Sequence, residues 1–181
     1  MHIAILSMEE FVNPDQILSQ LSLKAGMTAA DFGSGSGGWV VPLAKRLEEG
    51  KVYAIDVLEE KLSALKSKAQ LQKLNNIETI VDDAETRIER LSDESCDLVL
   101  MTNLLFECDD KRGVMAEGKR VLKSGGRILI VDWIKDNPLT KEIEYVSFDE
   151  IKDIAKELGL KIEKEFPAGS YHYALILAVP R

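Results

Sequence analysis

Apolar positions along this 181-residue chain switch between two spacings. Short continuous runs have the length and β-branched content of buried strands: "MTAADFG" (27–33), "KVYAIDV" (51–57), "IETIVDDA" (77–84), "CDLVLMTN" (96–103) and "RILIVDW" (127–133). Between them the apolar residues fall at helical spacing. Val40, Leu43, Ala44 and Leu47 form one such face, expected to end at Gly50. Leu58, Leu62, Leu65 and Ala69 form another, expected to close at Asn75-Asn76. A further helix is expected from about Asp109 to Lys123, stopped by Ser124-Gly125-Gly126. Asn13-Pro14 starts a short early helix, and Ser147-Phe148-Asp149-Glu150 caps a last one that ends at Gly159.

Strands alternating with helices predict an α/β fold, a doubly wound and mostly parallel sheet with helices on both faces. The chain closes with "KIEKEF" and "YHYALILAV" (171–179), joined by Pro167-Ala168-Gly169-Ser170, which reads as an antiparallel hairpin. The final strand is apolar at every alternate position on both faces, so it belongs inside the sheet. The expectation is seven strands, the last inserted antiparallel beside "RILIVDW". One domain over 1–181 accommodates this, with residues 1–25 as an N-terminal helix or lid segment and 26–181 as the core. Phe11, before the Asn13-Pro14 cap, is the candidate lid residue.

Composition narrows the function classes. A net charge of −8 disfavours binding through phosphates, so nucleic acid is an unlikely partner. Cys96 and Cys108 form no CxxC and suggest neither a disulfide framework nor a zinc site; a cytoplasmic home is the simplest reading. The first residues lack a basic n-region, and no apolar run approaches the roughly 20 residues of a membrane helix, so membrane insertion is not expected.

The chemistry concentrates in "DFGSGSGGW" (31–39), which joins the first strand to the following helix. In an open α/β sheet, that turn lies at the switch point where ligands bind. Gly33, Gly35 and Gly38 satisfy the dinucleotide pattern G-x-G-x-x-G, a weak match alone. Gly33, Gly35 and Gly37 equally satisfy D-x-G-x-G-x-G headed by Asp31. A pyrophosphate wants helix N–H groups without a carboxylate beside them. Asp31 instead suits a ligand with cationic character, such as S-adenosylmethionine with its sulfonium and ammonium. Asp56 ends the second strand, placed for ribose hydroxyls, and Asp83 with Ala84 ends the third, placed for an adenine. Val57 or Leu58 is positioned to cover the adenine face.

"DFGSGSGGW", "VYAIDV", "VDDAE", "CDLVLMTNLLF" and "KRVLKSGGRILIVDW" together resemble the motifs of class I S-adenosylmethionine-dependent methyltransferases of the small, UbiE-like kind, over about residues 22–180. Ser124 stands where the family's RVLKPGG turn usually has proline. The resemblance implies S-adenosyl-L-methionine as cofactor and S-adenosyl-L-homocysteine as product. It assigns Asp31, Gly33, Ser34, Gly35 and Gly37 to the methionine part and close backbone approach. Asp56 with Val57 falls at the ribose and adenine face, Asp83 and Ala84 at adenine, and Asn103 near the methionine part. The acceptor is expected to be a small molecule, because "NLLF" (103–106) lacks the prolines of nucleic-acid amino-methylating enzymes. Methyl transfer requires no metal, and no catalytic base is legible. Two other readings remain open: a nicotinamide-dependent oxidoreductase, and a subunit that binds the cofactor without turnover.

Several residues carry plain readings beside functional ones. Asp56 is also a good helix cap. Either Asp82 or Asp83 suits the third strand end. Asp132 ends the fifth strand and either faces the pocket or is structural. Cys108 either lines the cleft or packs, and His172 and Trp39 read as packed residues.

Overall fold

The computed structural model describes residues 12–134 and 145–181. Its elements are α1 (Pro14–Leu18), β1 (Thr28–Phe32), α2 (Val40–Arg46), β2 (Lys51–Asp56), α3 (Glu59–Leu71), β3 (Ile77–Val81) and β4 (Cys96–Thr102). A 3-10 turn (Leu105–Glu107), α4 (Lys111–Val121), β5 (Leu122–Trp133), α5 (Phe148–Glu157), β6 (Lys161–Pro167) and β7 (His172–Ala178) follow. The strands form one seven-stranded sheet in the order β3-β2-β1-β4-β5-β7-β6. β1 to β5 are parallel, and β7 lies antiparallel between β5 and β6. The insertion follows from composition: every residue of β7 is buried, whereas β6 at the edge is almost wholly exposed and charged.

Two apolar layers cover the sheet. Ala29, Leu100, Leu129 and Ile176 face α1, α2 and α3, through Leu18, Leu43, Leu62 and Leu65. Ala30, Val99, Ile128 and Leu177 face α4 and α5, through Val114, Val121, Ile151 and Ala155. The helix caps behave as their sequences predict. Asn13 accepts from the Asp15 and Gln16 amides, and Ser147 accepts from the Glu150 amide.

Some boundaries differ from the sequence reading. The helix before β5 covers only Lys111–Val121, and Ser124-Gly125-Gly126 is part of the strand. Gly125 takes a φ of +75°, its amide donates to Val179, and Gly126 accepts from the Val179 amide, so the bend is held by hydrogen bonds from the end of β7. β3 stops at Val81, where the Asp82 carboxylate accepts from the Asp83 amide and the Asp83 carboxylate from the Glu85 amide, turning the chain out of the sheet. α2 ends at Arg46 and α3 at Leu71, short of Gly50 and Asn75. Leu58 is not on the buried face of α3; it caps the helix, exposed. The β3–β4 connection contains no regular helix, and Ile88 and Leu91 pack there as isolated anchors. Phe11 lies outside the described residues. Among the described residues, no helix is long and apolar enough to cross a membrane.

Candidate active site

The loop after β1 takes its shape from three glycines. Gly33, Gly35 and Gly37 have φ of +70°, +53° and +87°, conformations that side chains strongly disfavour, while Gly38 does not. This is the D-x-G-x-G-x-G register. A Cβ on Gly33 would lie 2.8 Å from the Leu104 side chain, and one on Gly37 would run into Leu65. Gly35 is different: no atom lies within 4 Å of the position its Cβ would take. Its positive φ therefore presents bare backbone to open space. The Ser34 amide donates to Ile55 at 2.9 Å, and the Lys68 ammonium reaches the Ser36 carbonyl at 2.9 Å, so the loop is braced from β2 and α3.

Beneath this loop lies Asp31, fully buried, with neither carboxylate oxygen hydrogen-bonded. Burial, and then the charge of Asp56, holds its carboxyl well above the usual carboxylate range. The buried Ser34 hydroxyl is likewise unpartnered. Asp56 is also buried but well bonded: Oδ2 accepts from the Gly35 amide at 2.8 Å and Oδ1 from the Leu58 amide at 2.9 Å. It thus locks the glycine loop to the start of α3. A carboxylate offers about four acceptor sites, so two remain for another donor.

A cleft of about 360 Å³ opens at the carboxyl ends of β1 to β4. The residues singled out from sequence that line it include Gly33, Asp56, Val57, Ala84 and Asn103, together with both members of the Val57/Leu58 and Asp82/Asp83 alternatives. Val57 and Leu58 form an exposed apolar lip. Asp83 is exposed and its Oδ1 accepts from the Glu85 amide at 2.9 Å, while Ala84 is buried at the cleft wall. Asn103 has a φ of +50° and donates its amide to Val131 at 2.8 Å. Asp31, Ser34, Gly35 and Gly37 do not line this cleft; they lie in and under the loop beside it.

Sequence reasoning missed Lys61, Glu85 and Glu107, which also line the cleft, and Lys68, which braces the loop. As ordinary solvated charges they carried no sequence signal. Cys108 does reach the cleft wall, buried, with its thiol directed at the Leu104 carbonyl and pushed up to about 12 by burial. It is an inert thiol. Asp132 is fully buried and accepts from the Phe106 and Trp133 amides, with burial raising its carboxyl to about 6. It pins the turn after β4 that carries the far wall of the cleft. Trp39 packs in the core, as expected.

An orphaned buried acid beneath a bare backbone is an arrangement that fits a ligand bearing positive charge, and resists a pyrophosphate. Comparison with known proteins agrees. Residues 23–166 match the model of the methyltransferase domain family. The chain belongs to that family. It is a class I S-adenosylmethionine-dependent methyltransferase domain, and S-adenosylmethionine is its cofactor. A demethylmenaquinone methyltransferase of Oceanobacillus iheyensis is 29% identical over 152 residues, covering 82% of this chain and 63% of that protein. The UbiE ubiquinone/menaquinone biosynthesis C-methyltransferase of Salmonella arizonae is 28% identical, covering 83% and 59%. The chain thus spans less than two thirds of the length of these curated relatives. Among solved structures, a SAM-dependent methyltransferase from Aquifex aeolicus superposes with a TM-score of 0.85 at 30% identity, covering 94% of this chain and 91% of that one. The [4+2]-cyclase SpnF shares the fold at 14% identity with a TM-score of 0.81, so the fold alone does not fix the reaction.

Proposed function

We propose that the protein methylates a small-molecule acceptor of quinone type, using S-adenosylmethionine. The observation that carries the donor half is Asp31, a buried carboxylate with both oxygens unpartnered under the positive-φ glycines. The cofactor supplies a methyl group on an electrophilic sulfonium. Asp31 and Ser34 hold its cationic amino-acid end, and Gly35 allows the close approach. Asp56 accepts from its ribose while keeping the loop shut. Ala84 and the Val57-Leu58 lip flank its adenine, with Asp83 accepting at the edge and Asn103 shaping the donor end. The chain's part in catalysis is alignment, which can contribute several kcal/mol, about 7–11 in the most favourable intramolecular cases.

The acceptor half rests on the relatives, named as demethylmenaquinone and ubiquinone/menaquinone methyltransferases. A nucleic-acid acceptor is disfavoured by the net charge of −8. The test has two steps. Calorimetric titration should show adenosylmethionine and adenosylhomocysteine binding, and NAD not binding. Turnover with a demethylated hydroquinone should then give a product heavier by one methylene. Binding of NAD alone would overturn the donor reading. Cofactor binding with turnover only on proteins or RNA would overturn the acceptor reading.

A further inference from the structure

His172 is a buried polar group that packing alone does not explain. It opens β7 directly opposite Trp133, the last residue of β5. The two ring centroids are 3.9 Å apart with the planes inclined by 36°. The histidine is only 6% exposed, and neither Nδ1 nor Nε2 has a hydrogen-bond partner. A neutral imidazole carries one donor and one acceptor, and leaving both buried and unmet costs stability. A phenylalanine would stack on Trp133 without that cost.

Orphaned buried side chains are few among the described residues. Asp31 and Ser34 belong to the glycine loop, and Arg46, with one unmet nitrogen, pairs with Asp15 through another. His172 is the remaining one, and it shares a sheet face with Asp31. Asp31, Leu100, Leu129 and Ile176 form one row across the sheet, and Trp133 and His172 stand four residues further toward the carboxyl ends of the parallel strands. At about 4.8 Å per strand and 3.3 Å per residue, His172 lies roughly 14 Å across and 13 Å up from Asp31. It is outside the cleft lined by Gly33 and Asp56, on the side where β4 and β5 end. Tyr171 precedes it, and Ile134 donates its amide to the Tyr171 carbonyl.

Resting on the methyltransferase reading, we propose that Trp133 and His172 form the acceptor subsite, which takes an aromatic ring bearing a hydroxyl. The ring packs against the Trp133 indole, and its hydroxyl hydrogen-bonds to a ring nitrogen of His172. An uncharged aromatic and a single neutral hydrogen-bonding group match a hydroquinone, and they match a carboxylate or phosphate acceptor poorly. Burial alone lowers the imidazole to about 4, so His172 stays neutral at physiological pH and available as an acceptor.

The test compares 1,4-naphthohydroquinone, kept reduced, with its dimethyl ether, in the presence of saturating adenosylhomocysteine. Binding is read as quenching of Trp133 in a Trp39→Phe background. The hydroquinone should bind about tenfold more tightly than the ether, as one buried hydrogen bond allows. His172→Phe should remove that preference while leaving adenosylhomocysteine affinity unchanged. His172→Gln, which keeps a hydrogen-bonding group, should retain part of it and serves if the phenylalanine variant folds poorly. Preference unaltered in both variants, or no quenching of Trp133 by either ring, overturns the subsite. If the wild-type protein does not bind adenosylhomocysteine at all, the methyltransferase reading falls instead.

Discussion

Glu117 on α4 and Asp31 on β1 are both buried acids, and they are treated in opposite ways. Glu117, 7% exposed, accepts from the Ile88 amide at 2.9 Å and from the Arg120 guanidinium at 2.5 and 2.7 Å. Arg120 also pairs with Asp93. This cluster ties down the β3–β4 connection, which has no helix of its own to pack. Asp31, buried more completely, has no partner on either oxygen. One acid is spent on the fold, whereas the other is held against the fold's own stability. The difference separates structure from function: a buried charge that is fully met explains itself, and one that is not waits for something else.

Exchanging the two acids' fates gives the largest expected effects. Glu117→Ala should lower stability by about 3 kcal/mol, because it leaves the Ile88 amide unmet and leaves the largely buried Arg120 with only the exposed Asp93 as its ion partner. Cofactor affinity of the folded fraction should not change. Asp31→Asn should do the reverse, leaving the apo melting temperature equal or higher while weakening adenosylmethionine binding at least a hundredfold. Denaturant melts and calorimetry on the same two variants check this. A destabilised Asp31→Asn with unaltered affinity would make Asp31 merely structural. The same contrast carries a pH sign. Asp31 holds its proton above the usual carboxylate range, whereas a cationic ligand needs it ionised. Affinity should therefore rise as pH rises through that elevated pKa, and Asp31→Asn should flatten the rise.

Within the loop, Gly35 and Gly38 sharpen the comparison further. Both have open space at Cβ, but only Gly35 has positive φ. Gly35→Val should abolish cofactor binding, and Gly38→Ala should leave it within a few-fold. Equal losses would restore the G-x-G-x-x-G register. Asp56→Ala combines the two fates. It removes acceptors for the Gly35 and Leu58 amides, so apo stability should fall by about 1–2 kcal/mol, and affinity by a further 1–3 kcal/mol. Loss of stability alone would make it only a cap.

Much of this was legible in the sequence, and the failures have physical causes. The central strands and the inserted β7 follow from apolar runs buried on both faces, and the charged β6 follows from the hairpin turn that joins it to β7. The glycine register follows because Asp31 and the small residues are adjacent in sequence. Ser124-Gly125-Gly126 misled because a Gly pair reads as a helix stop, yet bonds from Val179 make it a strand bend. The Glu117–Arg120–Asp93 cluster was invisible because its members come from two segments brought together only by the fold. His172 reads from sequence as a packed histidine, and its burial agrees; its unmet nitrogens have no sequence signal.

The smallest effect expected is a near cancellation between Asp132 and His172, which lie beside each other's partners at the end of β5. Burial raises Asp132 from 3.8 to about 6, with Glu107 adding to the rise and the Trp133 and Phe106 amides opposing it. The folded state then binds more protons than the unfolded state between those values, so this group adds stability as pH falls from 6 to 4. His172 is lowered from 6.5 to about 4. The unfolded state now binds the extra proton, so this group removes stability over nearly the same window. Each shift is about 2 units, on the order of 3 kcal/mol at most. Their sum should be within about 1 kcal/mol of zero, so the pair leaves little trace in the wild-type profile. The variants expose it. Relative to wild type, Asp132→Asn should lose stability between pH 6 and 4, and His172→Phe should gain it. Urea melts at pH 6.5, 5.5 and 4.5 measure both differences. Parallel profiles for all three proteins would show that neither group titrates abnormally, and His172 would then be an ordinary packed residue.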